Sequence, residues 1–450
     1  MIKPYETFKE SKERAIGFIP SSWNITSIKN VLEIPITDGP HTTPKFYDHG
    51  IPFLSAESIK GGKLDFNKKR GFISQEDFEI YSQKYAPIKG DIFMVKSGAT
   101  TGNTAMVETD DVFNIWSPLA VFRAHKKKVY PKFLHFYLMS FNFKTLVEIS
   151  WSYGTQQNIG MGVLSNLPIS YGTMEEQTQI ANYLDHKTSL IDSIIAQKEQ
   201  LIEKLKEQRQ AIINEAVTKG LNPNIPLKDS GIELLNEIPE HWEVTKLIGL
   251  CYLVRGNSSF KKDELLSSGK YVALQYGKTY KVNEVDEKYK FYVNDEFYKD
   301  SQIVNYGDTI IISTSETIED LGHSVFYKRN DLGLLGGEQM MLKTKNSKIN
   351  PKYLFYSSKV FLKDLRKNAT GIKVYRFNIN DLKNVFTPVP PILEQNSIVK
   401  HIETKSITID KVILHTQTSI QKLKEYRQSI ISEAVTGKID VRDWQVPNNN

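Results

Sequence analysis

At 450 residues, with 40% hydrophobic side chains and 22 each of Phe and Tyr, the chain can fill more than one core and is not a disordered polymer. A net charge of +6 and a pI near 8.8 admit a polyanionic partner without demanding one. The single cysteine, Cys251, excludes an internal disulfide framework or a Cys-based metal site, and it fits a reducing, cytoplasmic setting. The charged stretch from Lys3 onward is not expected to be a signal peptide, and the longest apolar run, Leu247 to Val254, is too short to span a bilayer.

Residues 1–170 predict a mixed globular domain that opens with Ile19-Pro20 and Trp23. Lys68-Lys69-Arg70 follow Lys63, with Phe66 and Phe72 interleaved. Lys96-Ser97-Gly98 follow an expected strand, and Lys126 to Lys128 precede a helix starting at Pro131. Gly154-Thr155-Gln156-Gln157-Asn158 lead into the next element. Basic loop residues hold phosphates, while Arg, Asn, Gln, Ser and Thr read base edges. On that ground Lys68, Lys69, Arg70, Lys96, Ser97, Thr155, Gln156 and Gln157 are candidate DNA contacts. The alternative for each is ordinary surface charge or a plain loop.

Residues 171–220 predict a long helix. Thr173-Met174-Glu175-Glu176 has the form of a capping box, and Gly220 suits a left-handed C-terminal cap. No Pro or Gly interrupts residues 173–219, which at 1.5 Å per residue gives a helix about 65–70 Å long. Ile180, Leu184, Ile191, Ile194, Leu201, Leu205, Ile212 and Ala216 recur at threes, fours and sevens, a heptad-like seam interrupted by Lys187, Lys198 and Gln208.

Residues 221–388 predict a second mixed domain, opened by Ile238-Pro239 and Trp242. Its candidate DNA contacts are Lys261, Lys262, Lys278 (with Lys281 beside it), Thr314, Ser315, Lys373 and Arg376. Residues 389–450 predict a second long helix from Pro391 and a tail, with Ile398, Ile402, Ile409, Val412, Leu423, Ile430 and Ala434 at matching positions.

The two halves are copies. LKEQRQAIINEAVTKG begins at Leu205 and LKEYRQSIISEAVTGK at Leu423, 218 residues on. Glu176-Gln177 answers Glu394-Gln395, and Asp192 answers Asp410, at that same separation. Gly90-Asp91 answers Gly307-Asp308, Lys96-Ser97-Gly98 answers Ser313-Thr314-Ser315, and Pro131 to Leu134 answers Pro351 to Leu354. The offset drifts by a residue or two but keeps its order, as loop insertions in a duplicated fold produce. The helices are alike and the globular parts share little beyond scaffold positions. The expected fold is α+β: two small mixed domains and two long antiparallel helices paired as a coiled coil in a pseudo-twofold repeat. Apolar stripes this long need cover; the alternative is that each helix docks on its own globular domain.

No catalytic constellation emerges. Gly277-Lys278-Thr279 lacks the upstream glycine of a P-loop, because Val272 stands there. Gly98 to Gly102 lacks the following Lys. The one Pro-Pro, Pro390-Pro391, precedes Ile392 rather than an aromatic residue, as an adenine methyltransferase would require. Asp286-Glu287-Lys288 holds pieces of a metal-nuclease signature and is read as solvated surface. The histidines show no metal-binding spacing. No catalytic residue, metal or cofactor is assigned to this chain.

These residues resemble the specificity subunit of a type I restriction–modification system over essentially the whole chain. IPSSW at Ile19 to Trp23, KDSGIELLNEIPEHWEV from Lys228 to Val244 and Gly154-Thr155-Gln156 carry the resemblance. So do the Glu-Gln helix starts, EAVT at Glu215 and Glu433, and TGKIDVRDW from Thr436 to Trp444. The resemblance implies a non-catalytic protein with two target recognition domains, each reading half of a split double-stranded DNA site. It implies helices that set the spacer and dock two methyltransferase subunits, with restriction–translocase subunits completing the complex. S-adenosylmethionine, ATP and magnesium are expected on those partners, and no membrane is involved. A coiled-coil adaptor carrying two protein-binding domains would explain the helices equally well, but not the motifs.

Overall fold

The computed structural model describes residues 3–153, 157–233, 235–258, 260–345, 347–371 and 373–447. The chain folds into two compact units, one made of residues 1–199 and 417–450, the other of residues 200–416.

In the first unit a six-stranded sheet runs in the order Thr37–Asp38, Leu119–Phe122, Ile92–Val95, Thr104–Met106, Gly62–Leu64 and Ile59–Lys60. Its central strands, β1 (Ile92–Val95) and β2 (Leu119–Phe122), are antiparallel, with Leu119 opposite Val95 and Phe122 opposite Ile92. Every residue of both is buried, so they read as short apolar runs rather than as an alternation. A three-stranded sheet, Asn114–Ile115, Ile51–Leu54 and Gly71–Ile73, stands beside it. Helix α1 (Pro131–Met139) starts on its proline, as the sequence suggests.

Helix α2 (Met174–Lys219) then runs unbroken for 46 residues. Its capping box forms as predicted: Thr173 N–H donates to Glu176 Oε2 at 2.8 Å, and Glu176 N–H to Thr173 Oγ1 at 3.2 Å. Gly220 closes it with φ of +76°.

The second unit repeats this plan. A five-stranded sheet orders Cys251–Arg255, Gln339–Thr344, Thr309–Ile312, Ser324–Tyr327 and Glu284–Val285. The elements used below are β3 (Thr309–Ile312), β4 (Thr314–Ser315), β5 (Gln339–Thr344), α3 (Pro351–Leu365), β6 (Tyr375–Arg376) and α4 (Ile392–Val435). Pro391 stands one residue ahead of α4, and its carbonyl accepts from Gln395 N–H at 3.0 Å.

The repeated Glu-Gln pair now has a mechanical reason. Gln177 is buried, and its Oε1 accepts from Tyr130 N–H at 2.8 Å while its Nε2 donates to the carbonyls of Lys128 and Gly172. Gln395 does the same in the second unit, with Asn350 N–H at 2.7 Å and the carbonyls of Lys348 and Pro390. Each glutamine ties the start of a long helix to the loop that opens α1 or α3. The orphan backbone groups of both segments are thereby satisfied.

Within each unit the start of one long helix packs against the end of the other, so they pair antiparallel. Ile180, Ala181 and Leu184 share the first core with Ile430, Ile431 and Ala434, alongside Trp23 and Phe133. Ile213, Ala216 and Val217 share the second with Ile398, Ile402, Trp242 and Tyr353. The two expected modes of cover therefore operate together: these helix segments bury themselves against each other and against their globular part. Repeat-related ion pairs clasp the seam. Arg427 Nε lies 2.9 Å from Asp192 Oδ1 in the first unit, and Arg209 Nη1 2.7 Å from Asp410 Oδ1 in the second.

The seam departs from the expected one where apolar residues are adjacent. Ile194 and Leu201 are exposed, and their neighbours Ile195 and Ile202 are buried. Ile213 lies deeper than Ile212, and Val412 is exposed. One residue turns a helix by about 100°, so only one of each adjacent pair can face inward. Buried Thr188 and Thr416 occupy seam positions that an apolar count passes over.

The tail after α4 closes on the first unit. Gly437 has φ of +69°, and a Cβ there would stand 2.4 Å from Pro20 Cδ and 3.4 Å from Trp23. Gly220 faces Trp242 in the same way, 3.2 Å away. The Ile-Pro-x-x-Trp motif of each unit is thus the seat for the glycine that ends a long helix. Beyond it Lys3 bridges to Asp440, Lys438 Nζ donates to the Phe18 carbonyl at 2.5 Å, and Trp444 packs edge-on against Tyr183.

Two stability measurements follow. Ile202→Ala is expected to cost about 2–4 kcal/mol in chemical denaturation and Leu201→Ala no more than about 0.5 kcal/mol; equal costs would contradict the seam. Gly437→Ala is expected to cost about 1–3 kcal/mol more than Gly231→Ala. Gly231 has a similar φ of +70° but open space around its would-be Cβ, so equal losses would leave the proline–tryptophan seat without effect.

Candidate nucleic-acid interface

The polar stretches that hold candidate contacts in each half, Lys96 to Gly98 with Gln157-Asn158 in the first and Ser313 to Ser315 with Lys373 to Arg376 in the second, are neighbours in space. In the first unit Lys96 N–H donates to the Pro118 carbonyl at 2.8 Å, and the Lys96 carbonyl accepts from Ile159 N–H at 3.0 Å. Ser97 pairs with Asn158, and Gly98, with φ of +103°, donates to the Gln157 carbonyl at 3.0 Å.

The second unit has the same frame. Ser313 N–H donates to the Glu338 carbonyl at 3.1 Å, and its own carbonyl accepts from Phe377 N–H at 3.2 Å. Here β4 pairs antiparallel with β6, Thr314 opposite Arg376 and Ser315 opposite Tyr375. The backbone bonds are conserved between the copies, and the side chains on them are not.

Those side chains differ in chemistry. Lys96 is mostly buried, with Nζ 3.2 Å from Oδ2 of the fully buried Asp38. Lys84 Nζ reaches the same carboxylate at 2.5 Å and His41 Nε2 at 3.1 Å. Burial opposes the charge on Asp38, but hydrogen bonds from Lys84 and Lys96, with their charges, hold its carboxyl below the usual carboxylate range. Lys96 is therefore a positioned cation that shares one carboxylate with Lys84. Ser97 is half-buried and Gln157 exposed. Thr155 and Gln156 lie outside the described residues.

The Lys68-Lys69-Arg70 stretch reaches this same loop system through Trp116. The Arg70 guanidinium sits 5.0 Å from the Trp116 ring and 3.2 Å from Glu57 Oε1, and Trp116 is two residues from Pro118. Lys69 Nζ lies 4.7 Å from the Phe72 ring, and Lys68 is exposed. Lys69 and Arg70 stand on aromatic faces, which fixes long side chains at low cost.

In the second unit the turns border a cavity of about 490 Å³ whose lining includes Arg255, Asn257, Thr314, Glu338, Arg376 and Asn378. Glu338 holds φ of +64°, a strained conformation for a non-glycine residue. Gly256 allows the chain to pass the Gly336 carbonyl, which a Cβ would approach to 1.9 Å. Thr314 is half-buried and Arg376 exposed, both at the cavity. Ser315 is turned inward, its hydroxyl accepting from Thr317 N–H at 3.2 Å. Lys373 is exposed on the turn before β6. Lys261 and Lys262 are exposed just past Ser258, which lines the cavity. Lys278 does not join this group: its Nζ lies 4.6 Å from the Phe291 ring, beside a different cavity.

Arg255, Asn257 and Asn378 are the residues that sequence reasoning passed over. Only the glycine after Arg255 hinted at a special backbone there.

Residues 20–204 and 239–425 match the family model of the type I restriction modification DNA specificity domain. The chain belongs to this family. It is 28% identical over 452 residues to the putative type I restriction enzyme MjaX specificity subunit of Methanocaldococcus jannaschii, covering 97% of each chain. The MjaVIII specificity subunit of that organism is 24% identical over 451 residues, again 97% of each. Among solved structures, a chain from work on complex assembly and conformational transition of the type I R-M system matches with a TM-score of 0.68 at 16% identity, covering 93% of this chain and 98% of that one. The HsdS subunit from Thermoanaerobacter tengcongensis matches at 0.50 with 17% identity and the same coverage. These likenesses fix the fold, α+β with two mixed domains and long paired helices. The protein is a type I specificity subunit, a DNA-recognition component and not a catalyst. Among the described residues no helix is long and apolar enough to cross a membrane.

The geometry ranks the candidates within the second unit. Arg376→Ala is expected to weaken cognate duplex binding by the assembled enzyme at fixed salt by about 1–3 kcal/mol, while Ser315→Ala leaves affinity nearly unchanged. A comparable loss for both in fluorescence anisotropy would contradict this placement.

Proposed function

We propose that each unit reads one half of a split double-stranded DNA site, with the turn cluster around Ser97 and Gln157 serving one half and that around Thr314 and Arg376 the other. One observation carries this: the same backbone frame recurs in both units with different side chains mounted on it. A fixed frame gives a fixed approach to the duplex, and changed side chains give changed base preference. Lys68, Lys69, Arg70, Lys261, Lys262 and Lys373 are suited to phosphates and Thr314 and Arg376 to base edges.

The paired helices set the unspecified spacer and dock two methyltransferase subunits in the cytoplasm. Exposed apolar residues support the docking role: Leu190, Ile194 and Leu201 on α2, and Ile407, Val412 and Leu414 on α4. Side chains of this kind, recurring along a helix, favour a protein partner over water. The helix sequences are close to identical over stretches, LKEQRQAIINEAV from Leu205 and LKEYRQSIISEAV from Leu423, which suits alike partners. Restriction–translocase subunits complete the assembly. S-adenosylmethionine serves methyl transfer on the methyltransferase subunits, and ATP and magnesium belong to partner subunits as well.

Exchanging residues 21–150 for those of another family member tests the assignment. Methylation by the reconstituted complex is expected to change at one half-site and keep the other half and the spacer. A change in both halves would show that the units do not read independently.

A further inference from the structure

The second unit contains another cavity, of about 870 Å³, within the size range of small-molecule sites. Segments of α2 and α4 form one wall and α3 and the Lys278–Phe291 region the others. Its charge is unbalanced. Arg209 is paired with Asp410 at 2.7 Å, and Lys328, 3.1 Å from Glu284, shares that carboxylate with Lys352. Lys278, Lys281, Lys288 and Lys359 also line it and form no ion pair among the described residues, and the remaining carboxylates there are Asp286 and Glu403.

Lys359 is the most informative of these. It projects from α3, and its Nζ has neutral acceptors, the Ser324 carbonyl at 3.3 Å and Asn283 Oδ1 at 3.5 Å, with the Phe355 ring 4.5 Å away. Burial, followed by the charges of Arg209 and Lys352, pushes its amino group down to about 8. Packing alone does not call for a lysine there, because Met139 holds the corresponding place in the first unit, counted from Pro131 and Pro351. A half-buried amine whose direct partners are all neutral gains from an anion that arrives to pair with it. Phe291, beneath Lys278, supplies an apolar surface in the same cavity.

We propose that this cavity binds a small phosphate-bearing ligand, with Lys359 on the inner wall and Lys278, Lys281 and Lys288 around the phosphates. The ligand's non-phosphate part lies against Phe291 and Phe355. The site is separate from the turn cluster that borders Thr314 and Arg376, and it does not depend on the DNA-reading assignment.

The test is isothermal titration of the full chain with ATP and, separately, with inorganic pyrophosphate, both without magnesium. Saturable binding is expected with at least one of them. Tighter binding of ATP identifies a nucleotide ligand, and equal binding identifies the phosphates as the determinant. Lys359→Met, which installs the side chain of the first unit, and Lys288→Gln at an exposed position are each expected to weaken binding about tenfold or more with unchanged thermal unfolding. Three results would overturn the proposal: no heat from either ligand at about 5 mM, a weak-binding bound of roughly millimolar Kd; affinity indifferent to both substitutions; or loss of duplex DNA affinity in Lys359→Met with no nucleotide or pyrophosphate binding, which would make the cavity part of the DNA surface.

Discussion

An apolar seam that cannot be left in water governs this structure. It runs along α2 and α4, and burying each of its large aliphatic side chains contributes about 1.5–3 kcal/mol. In each unit the seam is covered partly by the opposing helix and partly by a globular core. Neither globular part is complete without helix segments from distant stretches of the chain. The first unit takes residues from both ends of the sequence, and Gly437 seats on Pro20 and Trp23 as Gly220 seats on Pro239 and Trp242. The Arg427–Asp192 and Arg209–Asp410 clasps add modestly, as partly exposed pairs do, and their chief effect is to fix register.

Features set by local sequence were legible. The capping box at Thr173, the glycine stops and the unbroken helices depend on residues within a few positions of each other. The duplication was legible because its spacing holds along the chain. What depended on distant residues was not. Nothing near Lys96 announces Asp38, which burial and sheet order bring beneath it. The inward turn of Ser315 follows from the pairing of β4 with β6, some sixty residues apart along the chain. The sequence could not choose between Ile194 and Ile195 or between Leu201 and Ile202, since either would suit a seam and only the packed helix selects one.

The candidate interface shows the same division. Both polar turns of each half could be picked out by composition, but their adjacency is a tertiary fact. Once they are side by side, the repeat gains a functional meaning. The hydrogen bonds at Lys96 and at Ser313 are equivalent, so the duplication preserved a mounting rather than a set of contacts. On that mounting one unit presents Ser97 and Gln157 near the Trp116 loop, and the other Thr314 and Arg376 near a Gly-Gly-Glu loop. Divergence in the side chains with constancy in the backbone and helices is what a protein needs if it must meet the same partners while choosing different DNA.

The most direct measurement is methylome sequencing of cells that express this subunit with its methyltransferase. A single split motif is expected, two defined halves separated by a spacer of fixed length and free sequence. A contiguous motif, or two halves at variable separation, would contradict a two-unit reader held by paired helices.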